Sequence, residues 1–203
     1  MEFTQVPLNS QLCEHYNIKG QSICIGIDDY TNETRIHILK IFELLINHYG
    51  FITISILPCN ASNHISNGNY SIWFQDGPGL FHVDYDDFLI AATKNVEDII
   101  KVISNQYNDI TYANYDICGY NIKIGNATPE VINNYITMIH HGFIANDDVL
   151  ENEEHGCEFS YNAEYGFYSL SGYEDGSEYD VITSDFSDII WYMNYEHGMY
   201  YNV

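Results

Sequence analysis

Beyond Lys123 the chain contains neither lysine nor arginine. Before that point it holds only Lys19, Arg35, Lys40, Lys94, Lys101 and Lys123 itself. Against these six cations stand 29 carboxylates, for a formal net charge of -23 over 203 residues. Neutralising a phosphate backbone requires lysine or arginine, so the shortage disfavours direct nucleic-acid binding. It equally disfavours an anionic membrane surface. Isoleucine, asparagine and tyrosine are abundant, as A/T-rich codons would make them. The same codons supply lysine, so base composition does not account for the missing cations.

Other absences narrow the chemistry. The five cysteines, Cys13, Cys24, Cys59, Cys118 and Cys157, are odd in number and contain no C-x-x-C pair. That does not read as a disulfide framework. Cys24 and Cys118 lie in apolar runs and are expected to be small buried hydrophobes. His155 and Cys157 form a single pair, short of a zinc ligand set. Phosphate-cradling glycine loops, nucleophile elbows, H-E-x-x-H and the EF-hand ligand order are all missing. No apolar run approaches the ~18 residues of a membrane span, and the first residues lack the cationic and apolar regions of a signal peptide. A cytoplasmic location is expected. The sequence shows neither an internal repeat nor a linker, which predicts one domain over residues 1–203.

What is present reads as a single α+β domain with a mixed or antiparallel sheet and three to four helices. Residues 22–27 (SICIGI) and 51–57 (FITISIL) read as strands. Between them Thr31 or Asn32 caps a helix ended by Gly50, with Glu33, His37, Lys40, Glu43 and Asn47 on one polar stripe and Ile36, Phe42 and Leu45 on the apolar side. Together residues 22–57 predict a βαβ unit. Residues 70–75 and 80–84 form a hairpin, and Asn95 caps a second helix. Residues 115–124 read as one strand. Thr128-Pro129-Glu130 then supplies cap, first-turn proline and first-turn acid for a third helix. Residues 146–156 read as an acidic loop, residues 158–170 as two strands turning near Tyr165-Gly166, residues 179–183 as a strand and 184–195 as a last helix.

Residues 146–203 are both acidic and rich in aromatics, and a disordered acidic tail would lack those rings. They predict a folded electronegative surface for a cationic partner. Asp147, Asp148, Glu151, Glu153, Glu154, Glu174, Asp175, Glu178 and Asp180 supply the charge. Tyr173 and Tyr179 supply rigid anchors of the kind that dominate binding hot spots. Two aspartate clusters compete as divalent-metal sites: Asp28 with Asp29 at a strand–helix turn, and Asp84 with Asp86 at a strand end. The bland reading of each is a solvated turn. The sequence therefore predicts no cofactor and a non-enzymatic inhibitor or decoy of a basic, nucleic-acid-handling protein. An immunity protein against a toxin nuclease or a phage-type anti-restriction or anti-CRISPR inhibitor fits. The alternatives are a small metal-dependent enzyme using those aspartates and an acidic assembly protein.

Overall fold

The computed structural model describes residues 4–6, 13–26, 31–54, 64–75, 79–174 and 177–197. The backbone divides into two compact units, residues 1–90 and 91–203. Across the described residues the elements are four helices and antiparallel strands.

In the first unit, β1 (Thr4–Val6), β2 (Cys13–Ile18) and β3 (Gln21–Gly26) form an antiparallel sheet in that order. Lys19 and Gly20 make the β2–β3 turn with φ of 50° and 83°. Two positive φ values define the type I′ geometry that matches strand twist. Thr31 caps α1 (Asn32–His48), its side chain accepting from the Thr34 N–H. The helix buries Ile38, Leu39, Ile41, Phe42, Leu45 and Ile46, while Glu33, His37 and Lys40 stay exposed. Ile36, expected on the apolar side, is 46% exposed. Strands β4 (Ile52–Thr53), β5 (His64–Ser66), β6 (Tyr70–Gln75) and β7 (Leu80–Tyr85) follow as an antiparallel meander, with β8 (Phe88–Thr93) next to β7. Phe42 meets Phe81 edge-on at 6.2 Å, and Phe81 meets Phe74 at 4.8 Å. These contacts seat α1 on the face that buries Ile65, Ile72 and Val83.

The expected βαβ unit is not formed. β3 and β4 flank α1 in the expected order, but β3 pairs with β2 and β4 pairs with β5, in separate sheets. Each strand takes its partner from an adjacent hairpin, so the parallel pairing across the helix is never made. Among the described residues the Gln21 side chain bridges this region: its Nε2 donates to the Phe51 carbonyl at 3.3 Å, and its Oε1 accepts from the Thr53 N–H at 2.6 Å. The strand read over residues 51–57 is limited to Ile52–Thr53 among the described residues.

The second unit opens in the last residues of β8. Asn95 caps α2 (Val96–Ile103). The single strand expected over 115–124 is instead a hairpin, β9 (Tyr112–Ile117) with β10 (Tyr120–Gly125), turning on Cys118 and Gly119. Cys118 is exposed, not buried, because it occupies that turn with φ of 52°. Thr128 caps α3 (Pro129–His140) as expected. Strands β11 (Ile144–Asn146), β12 (Val149–Asn152), β13 (Cys157–Asn162), β14 (Phe167–Glu174) and β15 (Ser177–Thr183) form an antiparallel meander, and α4 (Phe186–His197) closes the unit. Residues 146–156, read as a loop, thus contain a strand. One face of this meander buries Leu150, Phe159, Leu170 and Val181 in a single cross-strand row. Tyr135 of α3 and Phe186 of α4 pack edge-on against Phe159 at 5.3 and 5.9 Å.

Contrary to the sequence reading, the chain is an internal repeat. Residues 13–103 run β2-β3-α1-β4-β5-β6-β7-β8-α2, and residues 112–197 run β9-β10-α3-β11-β12-β13-β14-β15-α4. Among the described residues both copies read hairpin, helix, five strands, helix. Aligned on elements, residues 16–26 (YNIKGQSICIG) match residues 115–125 (YDICGYNIKIG). Gly50-Phe51-Ile52 likewise matches Gly142-Phe143-Ile144, and residues 93–100 (TKNVEDII) match residues 183–190 (TSDFSDII). Local geometry repeats with them. The Asn17 and Asp116 carbonyl-type oxygens accept from the Gly20 and Gly119 N–H groups at 2.9 and 3.1 Å. Phe51 and Phe143 are each 1% exposed, whereas Ile52 and Ile144 are 60% and 56% exposed. Phe74 on Phe81 is mirrored by Tyr161 on Tyr168 at 5.1 Å.

The paired Thr-x-Asn/Asp-x-x-Asp motifs meet inside the second unit. Ala92 bridges Ile182, its own counterpart, in antiparallel register. Beside that bridge Asp98, 3% exposed, accepts from Thr93 Oγ1 at 2.9 Å, Thr183 Oγ1 at 3.3 Å and the Ser184 N–H at 2.9 Å. Its counterpart Asp188 is only half-buried and accepts from Thr183 Oγ1 at 3.4 Å. Burial holds the Asp188 carboxyl above the ordinary carboxylate range, with Lys94 partly offsetting it.

Candidate functional site

Opposed residues of an antiparallel ladder share a face. In the second copy one such row reads Ile144, Glu151, Glu158, Ser171 and Asp180 across β11 to β15. Adjacent members stand about 5 Å apart, the spacing of neighbouring strands. This is the face opposite the Leu150–Val181 row, and Ile144 and Glu158 are exposed on it. Asn146 Nδ2 donates to Glu151 Oε1 at 2.6 Å. Asp147 and Asp148, both exposed, form the β11–β12 turn, Asp147 with φ of 56°. Glu153 and Glu154, also exposed, stand in the turn after β12.

The meander places Glu151 and Asp180 in one row with Glu158, which the sequence reading had not singled out, and puts Asp147 and Asp148 in the turn that leads into β12. Glu153 and Glu154 sit at the other end of β12. Tyr173 lies opposite Glu178, and Glu174 opposite Ser177, in the β14–β15 register, with Tyr179 opposite Gly172. Asp175 lies outside the described residues.

The repeat supplies an internal reference for this face. The matching row of the first copy is Ile52, Ser66, Ser71 and Asp84. Serines stand where the second copy has Glu151 and Glu158. Two carboxylates directly opposed on neighbouring strands destabilise a sheet by a few tenths of a kcal/mol or more. The first copy avoids that cost on the same element order. Residues 13–103 carry eleven carboxylates with five cations, residues 112–197 sixteen with one.

The metal candidates resolve differently. Asp84 Oδ2 accepts from Trp73 Nε1–H at 3.1 Å. Asp86 and Asp87 are the left-handed residues of the β7–β8 turn, with φ of 48° and 67°, so Asp84 and Asp86 do not share a strand face. Asp28 and Asp29 lie outside the described residues. Among the described residues no group of three His, Cys, Asp or Glu side chains converges as a ligand set. Cys157 is 2% exposed, and burial pushes its thiol up to about 11, so it stays protonated at neutral pH.

Around Trp73 the first copy gathers polar side chains of a different kind. His64, Trp73 and His82 occupy one register row, with Trp73 stacked on His82 at 4.1 Å. His82 Nε2 bonds Gln75 Oε1 at 2.5 Å, and His64 Nε2 bonds Ser71 Oγ. Burial pushes the His82 imidazole down to about 4. A histidine depressed on folding contributes stability above the unfolded value near 6.5 and loses it as pH falls toward about 4. The melting temperature should therefore drop across that window. His82→Phe, which keeps a ring against Trp73, should flatten this part of the profile; an unchanged slope would show that His82 does not set it.

No protein-family model, curated protein or solved structure matches this chain. Among the described residues, no helix is long and apolar enough to cross a membrane.

Proposed function

We propose that the chain is a non-enzymatic acidic inhibitor or decoy whose second copy binds a basic, nucleic-acid-handling protein of the cytoplasm. One observation carries this reading: two copies of one element order differ from eleven carboxylates with five cations to sixteen with one. The fold itself does not demand the acidity, since the first copy does without it. Solubility does not demand opposed Glu151 and Glu158 on neighbouring strands. Carboxylates spaced along a rigid face can occupy a basic groove by the electrostatics that hold nucleic acid there. Exposed Ile144 at the end of the row adds an apolar anchor.

The test uses a basic partner purified from the source cells and assayed as a defined protein. Glu151, Glu158 and Asp180 changed together to lysine should weaken binding more than tenfold, about 1.4 kcal/mol. The exposed acids Glu33, Glu97 and Asp109 changed together to lysine match the net charge and should cost only a modest steering loss. Nucleic acid should compete with the chain for the partner. Equal affinities for the two triple variants, with melting temperatures intact, would refute the face. Simultaneous binding of nucleic acid and this chain would refute the decoy.

A further inference from the structure

A second feature of the same copy is a polar cleft of about 310 Å³, whose lining includes Tyr112, Lys123, Asp148, Ser160, Tyr161 and Glu164. Three elements build it: the β9–β10 hairpin, the β11–β12 turn and the end of β13. β10 approaches the residue after β13 so closely that a Cβ on Gly125 would stand 2.6 Å from Ala163 Cβ. On the other side, Asp148 is fixed through its carbonyl, which accepts from the buried Tyr135 hydroxyl at 3.4 Å. Glu164 is held by its backbone, its carbonyl accepting from the Asn108 N–H at 2.8 Å and its N–H donating to Asn162 Oδ1 at 2.9 Å. Packing and main-chain bonds position the wall, which leaves the charged ends available.

Two independent observations mark this cleft. Lys123 is the one cation among the sixteen carboxylates of residues 112–197, and it lies here, its Nζ 4.9 Å from the Tyr112 ring centroid. Among the described residues it forms no salt bridge. The repeat provides the other. Register places Lys123 where the first copy has Cys24, Ser160 where it has Trp73, and Tyr161 where it has Phe74. A thiol has become an ammonium, an indole a hydroxymethyl and a phenyl a phenol. Every change adds a polar group, and the loss of the indole makes room.

Charge then selects the ligand. A free anion is opposed by the field of the whole copy, and a free cation is opposed locally by Lys123. A molecule bearing both charges satisfies Lys123 with its anionic end and Asp148 and Glu164 with its cationic end. The volume lies at the low end for small-molecule sites, which suits an amino acid rather than a nucleotide. We infer that the second copy binds a small zwitterion of the amino-acid class between Lys123 and the Asp148–Glu164 wall. This site shares Asp148 with the acidic surface but uses none of the Glu151, Glu158 and Asp180 row, and it stands or falls without that row.

The full chain should be mixed with the twenty standard L-amino acids and read by saturation-transfer NMR. At least one should respond at millimolar concentration. Its methyl ester and its N-acetyl derivative should each bind at least tenfold more weakly, because each lacks one charge. Lys123→Met, at an exposed position, should weaken the free amino acid tenfold or more and abolish its preference over the ester. Ser160→Trp, which installs the residue of the first copy, should block binding with the chain still folded. Should that variant fail to fold, Lys123→Met decides alone. No response from any amino acid would overturn the inference, as would a responder that binds Lys123→Met and the native chain equally.

Discussion

Replacing Asp98 with alanine is expected to lower stability by about 2–4 kcal/mol. The carboxylate is 3% exposed and takes three donors through one oxygen, from Thr93, Thr183 and the Ser184 backbone. Both hydroxyls can rotate toward other acceptors, but the Ser184 N–H is fixed by the chain and would be left without a partner. A buried donor stranded in this way costs its full desolvation, about 1–3 kcal/mol. Asp98→Asn keeps an acceptor in place and should lose less. Asp188→Ala, at the matching position of the second copy, removes one long bond from a half-buried group and should cost under about 1 kcal/mol. Urea melts of the three variants give the ranking. Equal losses at Asp98 and Asp188 would mean that the burial difference between the two motifs carries no energy.

The second large effect is expected in α1. Leu45 is fully buried on the helix face that packs toward Phe81. Leu45→Asp loses the packing of a buried leucine, about 2–5 kcal/mol, and places in its stead a carboxyl that must protonate or remain unpaired. Near total loss of the first unit is the expected outcome. Glu43, two residues earlier and so on the other side of the helix, provides the contrast. Its Oε2 is buried without a hydrogen-bond partner, so Glu43→Ala removes an unmet acceptor and should not lower stability. Circular dichroism melts that fell equally for both would contradict the face assignment.

The features legible in the sequence are those whose cause is local. Thr31, Asn95 and Thr128 mark helix starts because a capping side chain bonds backbone only two or three residues away. The pairing of Tyr70–Gln75 with Leu80–Tyr85 announces itself through the Asp-Gly-Pro-Gly sequence between them. Pairing partners are not local, and there the reading failed. Strands β3 and β4 resemble the two arms of a βαβ unit, yet nothing between them reveals that each has a nearer partner. Cys118-Gly119 carries no proline or Asn-Gly signal and has apolar residues close on both sides, which hid a turn within one apparent strand; only the switch of the apolar phase from Tyr115 and Ile117 to Tyr120, Ile122 and Ile124 marks it. The repeat escaped for another reason. Equivalent residues are 99 positions apart at Gly20 and Gly119, 92 at Gly50 and Gly142, and 90 at Thr93 and Thr183. α1 has 17 residues against 12 in α3, so no fixed period survives. The carboxylates of the candidate face were visible as a composition. That Glu151 and Glu158 oppose each other depends on strand register, which composition does not contain.

Ala92 facing Ile182 has a consequence for how the two copies could change. An antiparallel bridge between counterparts is what a symmetric pair of separate chains would form, and there both partners must be the same residue. A substitution in one gene would then alter both sides of the joint at once, so a small residue could never be matched by a large one. Within a single polypeptide that bond between the two sides is released. A methyl group stands opposite a branched butyl group, and a half-buried Asp188 answers a buried Asp98. Within one chain, the two sides of the joint can therefore differ, as Ala92 and Ile182 do.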